Sequence, residues 1–294
     1  MADDPNDVIE VEPSRGPRRW IGVAVLAALV VVPVVSLLSG REPGAPPVPT
    51  PGALSATVAA GTPANALYPE PRRRRGGEIL DVVFPDGSKA EVTYPAELAL
   101  AELGVRPARG GWLEGDPGLF RRLTAPPGGL AEVARSGPMI RRLAARSTLW
   151  QPMTPAEGQV LLFDFASWHL ALRDLKDGMT FEQRLLWAEK LRGRVTRDGY
   201  LVLDAGAPVR LAGAGRVFRG ELMGPQLWFG AAPRTLLVLA PAPHCDVRVI
   251  QVPVIQQDQR FSAETCRDGV YVAASGERAR VERMISDIRV RLGD

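Results

Sequence analysis

The sequence has few of the residues on which common catalytic and metal sites depend. Its 294 residues include two cysteines and two histidines, and 6% of the residues are aromatic. No second ligand pair at zinc spacing accompanies His244 and Cys245. P-loop and G-x-S-x-G motifs are absent, and residues 213–220, GAGRVFRG, lack the glycine spacing of a dinucleotide fingerprint. We therefore predict no metal and no cofactor.

An excess of one sign of charge is also missing. The formal net charge is +3, and residues 76–294 are nearly neutral. A nucleic-acid-binding protein needs a basic surface, so we predict no nucleic-acid partner. Arginine supplies almost all of the basic residues, and alanine, glycine and proline are abundant. This composition is typical of a GC-rich bacterial genome.

A long uncharged segment stands near the N-terminus. Ile21 to Leu38 are 18 consecutive residues without a charge, and Trp20 precedes them at a position typical of interfacial aromatics. A hydrocarbon core about 30 Å thick requires roughly 20 apolar helical residues. We predict a transmembrane helix over residues 20–39, with the lipid bilayer as its partner.

The flanking arginines predict the orientation of this helix. Arg15, Arg18 and Arg19 precede it, whereas Arg41 alone follows it closely. The positive-inside rule therefore predicts a single-pass plasma-membrane protein with a cytoplasmic N-terminus and an extracytoplasmic C-terminal part.

Three other interpretations of the segment stay open. It could be a helix buried in the core of a soluble domain. A cleaved signal peptide also begins with basic residues, although its apolar region is usually shorter and ends at an A-x-A-like site that this sequence lacks. An inverted topology would leave the C-terminal part in the cytoplasm and both cysteines as thiols. A lipoprotein leader is excluded because no cysteine follows the segment.

The segments on either side of the predicted helix lack the apolar residues that could pack into a hydrophobic core. Residues 1–19 begin with an acidic stretch and predict a disordered cytoplasmic tail. Residues 40–75 are rich in proline and end in RRRR, which predicts an extended linker. We interpret RRRR as a solvated charge run, with contact to an anionic lipid or wall polymer, or a protease-sensitive site, as the alternatives. Residues 76–294 are then one extracytoplasmic domain.

Strand and helix patterns are mixed within this domain. The hairpin EILDVVF–PDGS–KAEVTY is predicted over residues 78–94. Residues 96–104, 138–150, 180–191 and 276–292 have helical signals, and residues 105–129 read as loop-rich. Strands are predicted at 159–165, 200–205, 226–231, 235–241 and 247–255, whereas 167–175 fits either a strand or a helix. Because the two types do not alternate regularly, the predicted fold class is α+β.

The two cysteines predict a disulfide bond. In an exported domain, the simplest state of Cys245 and Cys266 is a bridge between them, closing a loop of about 20 residues. Such a bridge stabilises a fold by about 3 kcal/mol through the entropy of loop closure.

Isolated polar residues offer weaker candidates for chemistry. His169 lies in an apolar run, where a packed or hydrogen-bonded histidine is the usual role. The aspartates could pair in space as acid and base, although spacing alone does not show this; they are Asp164, Asp174, Asp177 and Asp204.

Thr265–Cys266, in a chain with an N-terminal anchor and a linker, resembles the end of the T-L-x-T-C motif of sortases. The resemblance implies a thiol enzyme with Cys266 as nucleophile, His169 as its partner and Arg278 or Arg280 as the transition-state stabiliser. It covers two residues and an architecture, because Ala263 and Glu264 depart from the motif.

The organisation of the chain predicts its function more directly than any motif does. We expect a membrane-anchored, extracytoplasmic protein without enzymatic activity, which binds an envelope protein or a wall polymer as a sensor or as an assembly or secretion accessory. The alternative is an exported hydrolase or transferase whose site has no recognisable motif.

Overall fold

Antiparallel β-strands form most of the domain. The computed structural model describes residues 65–152, 158–174, 178–256 and 261–293. Within these residues the two longest helices have ten residues each, and the strands pair into large antiparallel sheets. The predicted α+β class is therefore wrong, and the fold is mainly β. In the same residues no helix has the length and apolarity to span a membrane. The helix predicted over 20–39 lies outside them.

The larger sheet contains 11 strands. Ten of them follow one another as hydrogen-bonded neighbours, with labels given in chain order. Their order is β17 (Phe261–Arg267), β18 (Val270–Gly276), β16 (Leu236–Pro241), β15 (Gln226–Gly230), β4 (Val105–Leu113), β5 (Asp116–Thr124), β9 (Trp168–Arg173), β8 (Val160–Phe165), β7 (Ser147–Trp150) and β6 (Met139–Ala144). The remaining strand, β12 (Val209–Leu211), pairs with β4.

A smaller sheet and two hairpins complete the strands. The smaller sheet has the order β1 (Arg72–Arg74), β2 (Gly77–Val83), β3 (Lys89–Tyr94) and β19 (Arg289–Leu292). The hairpins are β10 (Leu191–Val195) with β11 (Leu201–Ala205), and β13 (Val217–Phe218) with β14 (Glu221–Leu222). Since β1 pairs with β2, three of the four consecutive arginines belong to the folded domain.

The helices are short and lie between strands. Ala96–Leu98 form a 3-10 turn. The α-helices are α1 (Leu100–Leu103), α2 (Gly129–Ser136), α3 (Phe181–Lys190), α4 (Pro253–Gln256) and α5 (Arg278–Asp287).

Local sequence signals account for several elements. The hairpin of β2 and β3 is confirmed: the Gly87 N–H donates to the Phe84 carbonyl at 2.8 Å, and the Ser88 N–H donates to Asp86 at 3.0 Å. Helix α3 begins with the predicted capping box, in which Thr180 and Gln183 exchange hydrogen bonds. Residues 167–175 contain a strand, β9.

Other predictions from local pattern are wrong. Residues 138–150, predicted as a helix, form β6 and β7, which pair with each other, and β7 also pairs with β8. The predicted strand over 247–255 consists of turns followed by α4. The predicted C-terminal helix ends at Asp287, and β19 follows it. Pairing within a sheet overrides local propensity in the three new strands, β6, β7 and β19.

The stretch predicted as loop-rich contains two of the longest strands, β4 and β5. The glycines of β4 allow neighbouring backbone to approach. A Cβ at Gly111 would stand 2.6 Å from the Arg210 carbonyl oxygen, and one at Gly110 would stand 2.9 Å from that of Met223. Glycine within a strand often marks such a close approach.

The core consists of several apolar clusters on the two faces of the large sheet. One cluster joins the smaller sheet and α5 to β15, β16 and β18, with Phe84, Tyr94 and Phe229 among its largest members. A second joins β5, β8 and β9 to α3 through Trp187. On the opposite face of β16 and β18, Ile250, Val252 and Ile255 cover the sheet.

Candidate functional site

The structure confirms the predicted disulfide. Cys245 and Cys266 are bonded, with Cα atoms 5.7 Å apart and a sequence separation of 21 residues. Cys266 lies in β17, and Cys245 lies in the loop after β16. Both pack against the cluster that contains Ile250 and Val252. The bridge therefore ties this covering loop to an edge strand of the large sheet.

The arrangement implied by the sortase resemblance is not present. Cys266 is held in the disulfide, so its sulfur is not a free thiol. His169 lies in β9, and five strands of the large sheet separate it from β17. Arg278 stacks on Phe261, 4.0 Å from the ring centroid. The Nη2 of Arg280 donates to the Leu98 carbonyl.

The strongest concave candidate is a cleft lined by three arginines. We call it the arginine cleft. It has a volume of about 410 Å³ and lies between the first described residues, α1, the β15–β16 turn and the start of α5. Its polar and aromatic lining residues are Tyr68, Glu102, Arg106, Arg234, Thr235 and Arg280.

Arg106 forms the buried wall of the cleft. Only 6% of this residue is exposed. Its Nη1 donates to the Ala125 carbonyl at 2.8 Å and its Nη2 donates to the Gly230 carbonyl at 2.6 Å. These acceptors are neutral, and no carboxylate in the described part of the chain forms an ion pair with this guanidinium. Burial lowers the pKa of Arg106 to about 10, with partial opposition from Glu132 and Tyr68.

Arg280 is held at the start of α5. The Glu277 side chain caps this helix by accepting hydrogen bonds from the Ala279 and Arg280 N–H groups. The Nη2 of Arg280 donates to the Leu98 carbonyl at 2.6 Å, whereas its buried Nε has no hydrogen-bond partner. One donor at the cleft is thus desolvated and unsatisfied, which carries a free-energy cost.

The rim of the cleft is more exposed. Tyr68 is 55% exposed, and its ring lies against the backbone of Gly104, where a Cβ would stand 2.9 Å from the ring. Arg234 is exposed in the turn between β15 and β16. Glu102, in α1, is the carboxylate among the lining residues. The lining therefore carries a net positive charge.

A second polar cluster is buried and structural. Asp174 accepts hydrogen bonds from Arg121 Nε at 2.8 Å, Arg184 Nη2 at 2.9 Å and the Met179 N–H at 2.8 Å. This cluster connects β5 and the end of β9 to Arg184 of α3 and to Met179, which lies just before that helix. Its role follows from the pairing itself, since the Asp174 carboxylate supplies the counter-charge for two guanidinium groups that are largely shielded from solvent.

His169 forms a pair with Asp164 across the β8–β9 hairpin. The Nδ1 of His169 is 2.8 Å from Asp164 Oδ1, and both side chains are partly exposed. Asn65 fixes the backbone of His169 from both sides: its Oδ1 accepts from the His169 N–H, and its Nδ2 donates to the His169 carbonyl. A carboxylate on Nδ1 orients an imidazole for proton transfer through Nε2.

Residues 213–220 have a structural role of their own. They contain β13, whose Phe218 stacks on Phe120 with centroids 4.1 Å apart, and Phe120 contacts Trp112 at 4.8 Å. Arg216 lies 6.0 Å above two of these rings.

Only some of the candidate residues named from the sequence lie in the described part of the chain. The anchor residues Trp20, Ile21 and Leu38 lie outside the described residues, as do Arg15, Arg18 and Arg19. Asp164 and Asp174 have the partners described above, and Asp177 lies outside the described residues. Among the residues that the structure describes, no group of three or more His, Cys, Asp or Glu could hold a metal ion.

Sequence reasoning missed the arginine cleft. Arg106, Arg234 and Arg280 come from three distant segments, and none belongs to a motif. The pairing of β15 with β4 brings the first two near one another, and no local signal predicts that pairing.

Comparison with known proteins adds no relationship. The chain matches no protein-family model, and it resembles no curated protein and no solved structure significantly.

Proposed function

We propose that the chain is a single-pass, membrane-anchored protein of the cell envelope whose β domain lies outside the cytoplasm and binds an envelope partner. The observation that carries this proposal is the Cys245–Cys266 disulfide. Disulfides form and persist in oxidising compartments and are rare in the cytosol of mesophiles. A domain whose two cysteines are both bridged fits an exported location.

The N-terminal sequence supports the same location. Ile21 to Leu38 have the length and apolarity of a membrane anchor, and the preceding arginines favour a cytoplasmic N-terminus. The proline-rich residues that follow suit a spacer, because such segments extend about 3.1 Å per residue. The domain would thus be held away from the bilayer, where it can reach a protein or a wall polymer.

The lining of the arginine cleft favours binding without catalysis. The arginine cleft offers fixed positive charges, and two of its three guanidinium groups are anchored to backbone carbonyls. Such an arrangement recognises a charged group and holds it. We therefore infer a binding, sensing or assembly role.

A hydrolase or transferase is the second candidate, and the His169–Asp164 pair favours it. An imidazole oriented by a carboxylate can act as a general base. Hydrolysis of a p-nitrophenyl ester by the purified full chain tests this candidate. Loss of turnover in His169→Gln, with folding retained, would support it; equal rates in both proteins would exclude the pair as a base for esters.

A reporter fusion tests the location. Alkaline phosphatase needs its own disulfides and is active only after export, whereas a green fluorescent protein exported unfolded is dark. Fused after residue 294, the phosphatase should be active and the fluorescent protein dark. The opposite pattern would contradict an extracytoplasmic domain.

A further inference from the structure

We propose that the arginine cleft is a binding site for a phosphate group carried by a small molecule or a lipid headgroup. This inference deepens the binding role proposed above by naming a site and a ligand class. It rests on that role only for the source of the ligand, because the chemistry of the cleft does not depend on where the domain lies.

The charges of the cleft favour an anion. Three guanidinium groups line it, and Glu102 is the one carboxylate among its described lining residues. None of Arg106, Arg234 and Arg280 forms an ion pair with a described carboxylate at 4.0 Å or less. Most other buried or half-buried arginines of the domain are paired, as Arg121 is with Asp174.

Arg106 keeps its positive charge although burial of that charge costs free energy. Its guanidinium is buried against neutral carbonyls, and burial lowers its pKa to about 10. A bound anion would supply the missing counter-charge in a partly desolvated site, where Coulomb attraction is stronger than in water. Arg280 adds a second guanidinium to the lining, held in place by its hydrogen bond to the Leu98 carbonyl.

A phosphate fits this donor set better than a carboxylate does. It carries up to two negative charges and more acceptor oxygens, which suit several guanidinium groups that line one cleft. The cleft volume of about 410 Å³ exceeds what one phosphate fills, leaving room for a neighbouring group. The exposed ring of Tyr68 at the rim offers a face against which such a group can pack.

Isothermal titration of the detergent-solubilised full chain tests the ligand class. The probes are inorganic phosphate, glycerophosphoglycerol as the soluble diester headgroup of phosphatidylglycerol, and acetate, all at matched ionic strength. We expect saturable binding of a phosphate probe and at least tenfold weaker binding of acetate. Tighter binding of the diester would identify a headgroup as the source, and tighter binding of inorganic phosphate would identify a free phosphate or monoester.

Three variants locate the binding. Arg234→Ala removes an exposed arginine of the cleft and should weaken phosphate binding about tenfold or more, as expected for a lost charge-assisted hydrogen bond. Glu102→Gln removes the opposing carboxylate and should strengthen binding about two- to fivefold. Arg73→Ala, an exposed arginine of β1 outside the cleft lining, is the matched control and should leave the affinity unchanged.

Three results would overturn the proposal. They are the absence of saturable binding by either phosphate probe, equal affinity for acetate and phosphate, and equal weakening by Arg234→Ala and Arg73→Ala. Failure of the proposed location is a separate result, because the reporter fusion measures it without any ligand.

Discussion

Asp174 and Arg121 form a nearly solvent-free ion pair, with 2.8 Å between Asp174 Oδ1 and Arg121 Nε and side-chain exposures of 0% and 2%. Arg184 adds a second guanidinium to the same carboxylate at 2.9 Å. The pair links β5 to the end of β9, so it joins the β-sheet to the segment that leads into α3. Removal of one partner from a buried pair leaves an uncompensated charge in a poorly solvated place.

We expect Asp174→Asn to destabilise the domain by about 3–5 kcal/mol, because both arginines would lose their counter-charge. The matched control is Glu114→Gln, which breaks an exposed pair with Arg210 in which the side chains are 45% and 54% exposed. That change should cost less than about 1 kcal/mol. Urea unfolding of the detergent-solubilised proteins, followed by tryptophan fluorescence, gives both values. A cost below 1 kcal/mol for Asp174→Asn would contradict the role of the buried pair.

The disulfide should contribute about 3 kcal/mol to the free energy of unfolding, because it restricts the unfolded chain. We expect a reductant to lower the urea midpoint of the natural protein. The double variant Cys245→Ala/Cys266→Ala should start near the reduced midpoint and show no response to the reductant. If reduction leaves the natural protein unchanged, the bridge does not stabilise the loop after β16.

Gly193 should tolerate no side chain. A Cβ there would stand 2.5 Å from the Phe165 ring, which is buried in the second core cluster. Gly193→Ala is expected to cost about 1–3 kcal/mol, the usual range for overpacking. Gly213→Ala is the control, since nothing lies within 4 Å of its added Cβ, and it should change stability by less than about 0.5 kcal/mol. Equal unfolding midpoints for the two variants would contradict this contact.

Tyr200 should make stability fall at alkaline pH. Burial raises its pKa above the ordinary value of about 10, with further contributions from Asp198 and Asp81. Above pH 10 the unfolded chain releases the phenol proton while the folded chain retains it. The unfolded state then binds fewer protons, so stability decreases as the pH rises.

The variant Tyr200→Phe isolates the contribution of the Tyr200 phenol to the pH dependence of stability. At pH 8 the variant should be less stable by about 1 kcal/mol, because the hydroxyl no longer donates to the Asp81 carbonyl at 3.1 Å. At pH 11 the difference should shift by about 1.4 kcal/mol in favour of the variant. Unfolding curves at the two pH values measure the shift, and a constant difference would show that Tyr200 does not titrate on unfolding.

Elements with strong local signals could be predicted from the sequence. The turn at Asp86 and Gly87 and the capping box of Thr180 and Gln183 satisfy backbone groups within a few residues. The cysteine pair could be predicted for a similar reason, because two cysteines allow only one intramolecular bridge. These features depend little on the rest of the fold.

The strands from β4 to β7 could not be predicted in this way. Part of their pairing lies outside a local window of sequence: β4 pairs with β15 as well as with β5, and β7 pairs with β8 across residues 151–159. The apolar spacing of residues 138–150 fits a helix locally, and only the edge of the large sheet makes a strand more favourable. The arginine cleft has the same origin, because Arg106 and Arg280 are 174 positions apart in the printed numbering.

Alkylation of the cysteines reports both the anchor and the location of the domain. Isolated membranes are denatured in the presence of an alkylating agent, with and without prior reduction, and the intact mass of the chain is recorded. We expect a mass that retains residues 1–40, with Cys245 and Cys266 alkylated only after reduction. A retained N-terminus with both cysteines alkylated before reduction would contradict the extracytoplasmic disulfide, and a mass lacking the first 36 to 40 residues would contradict the anchor.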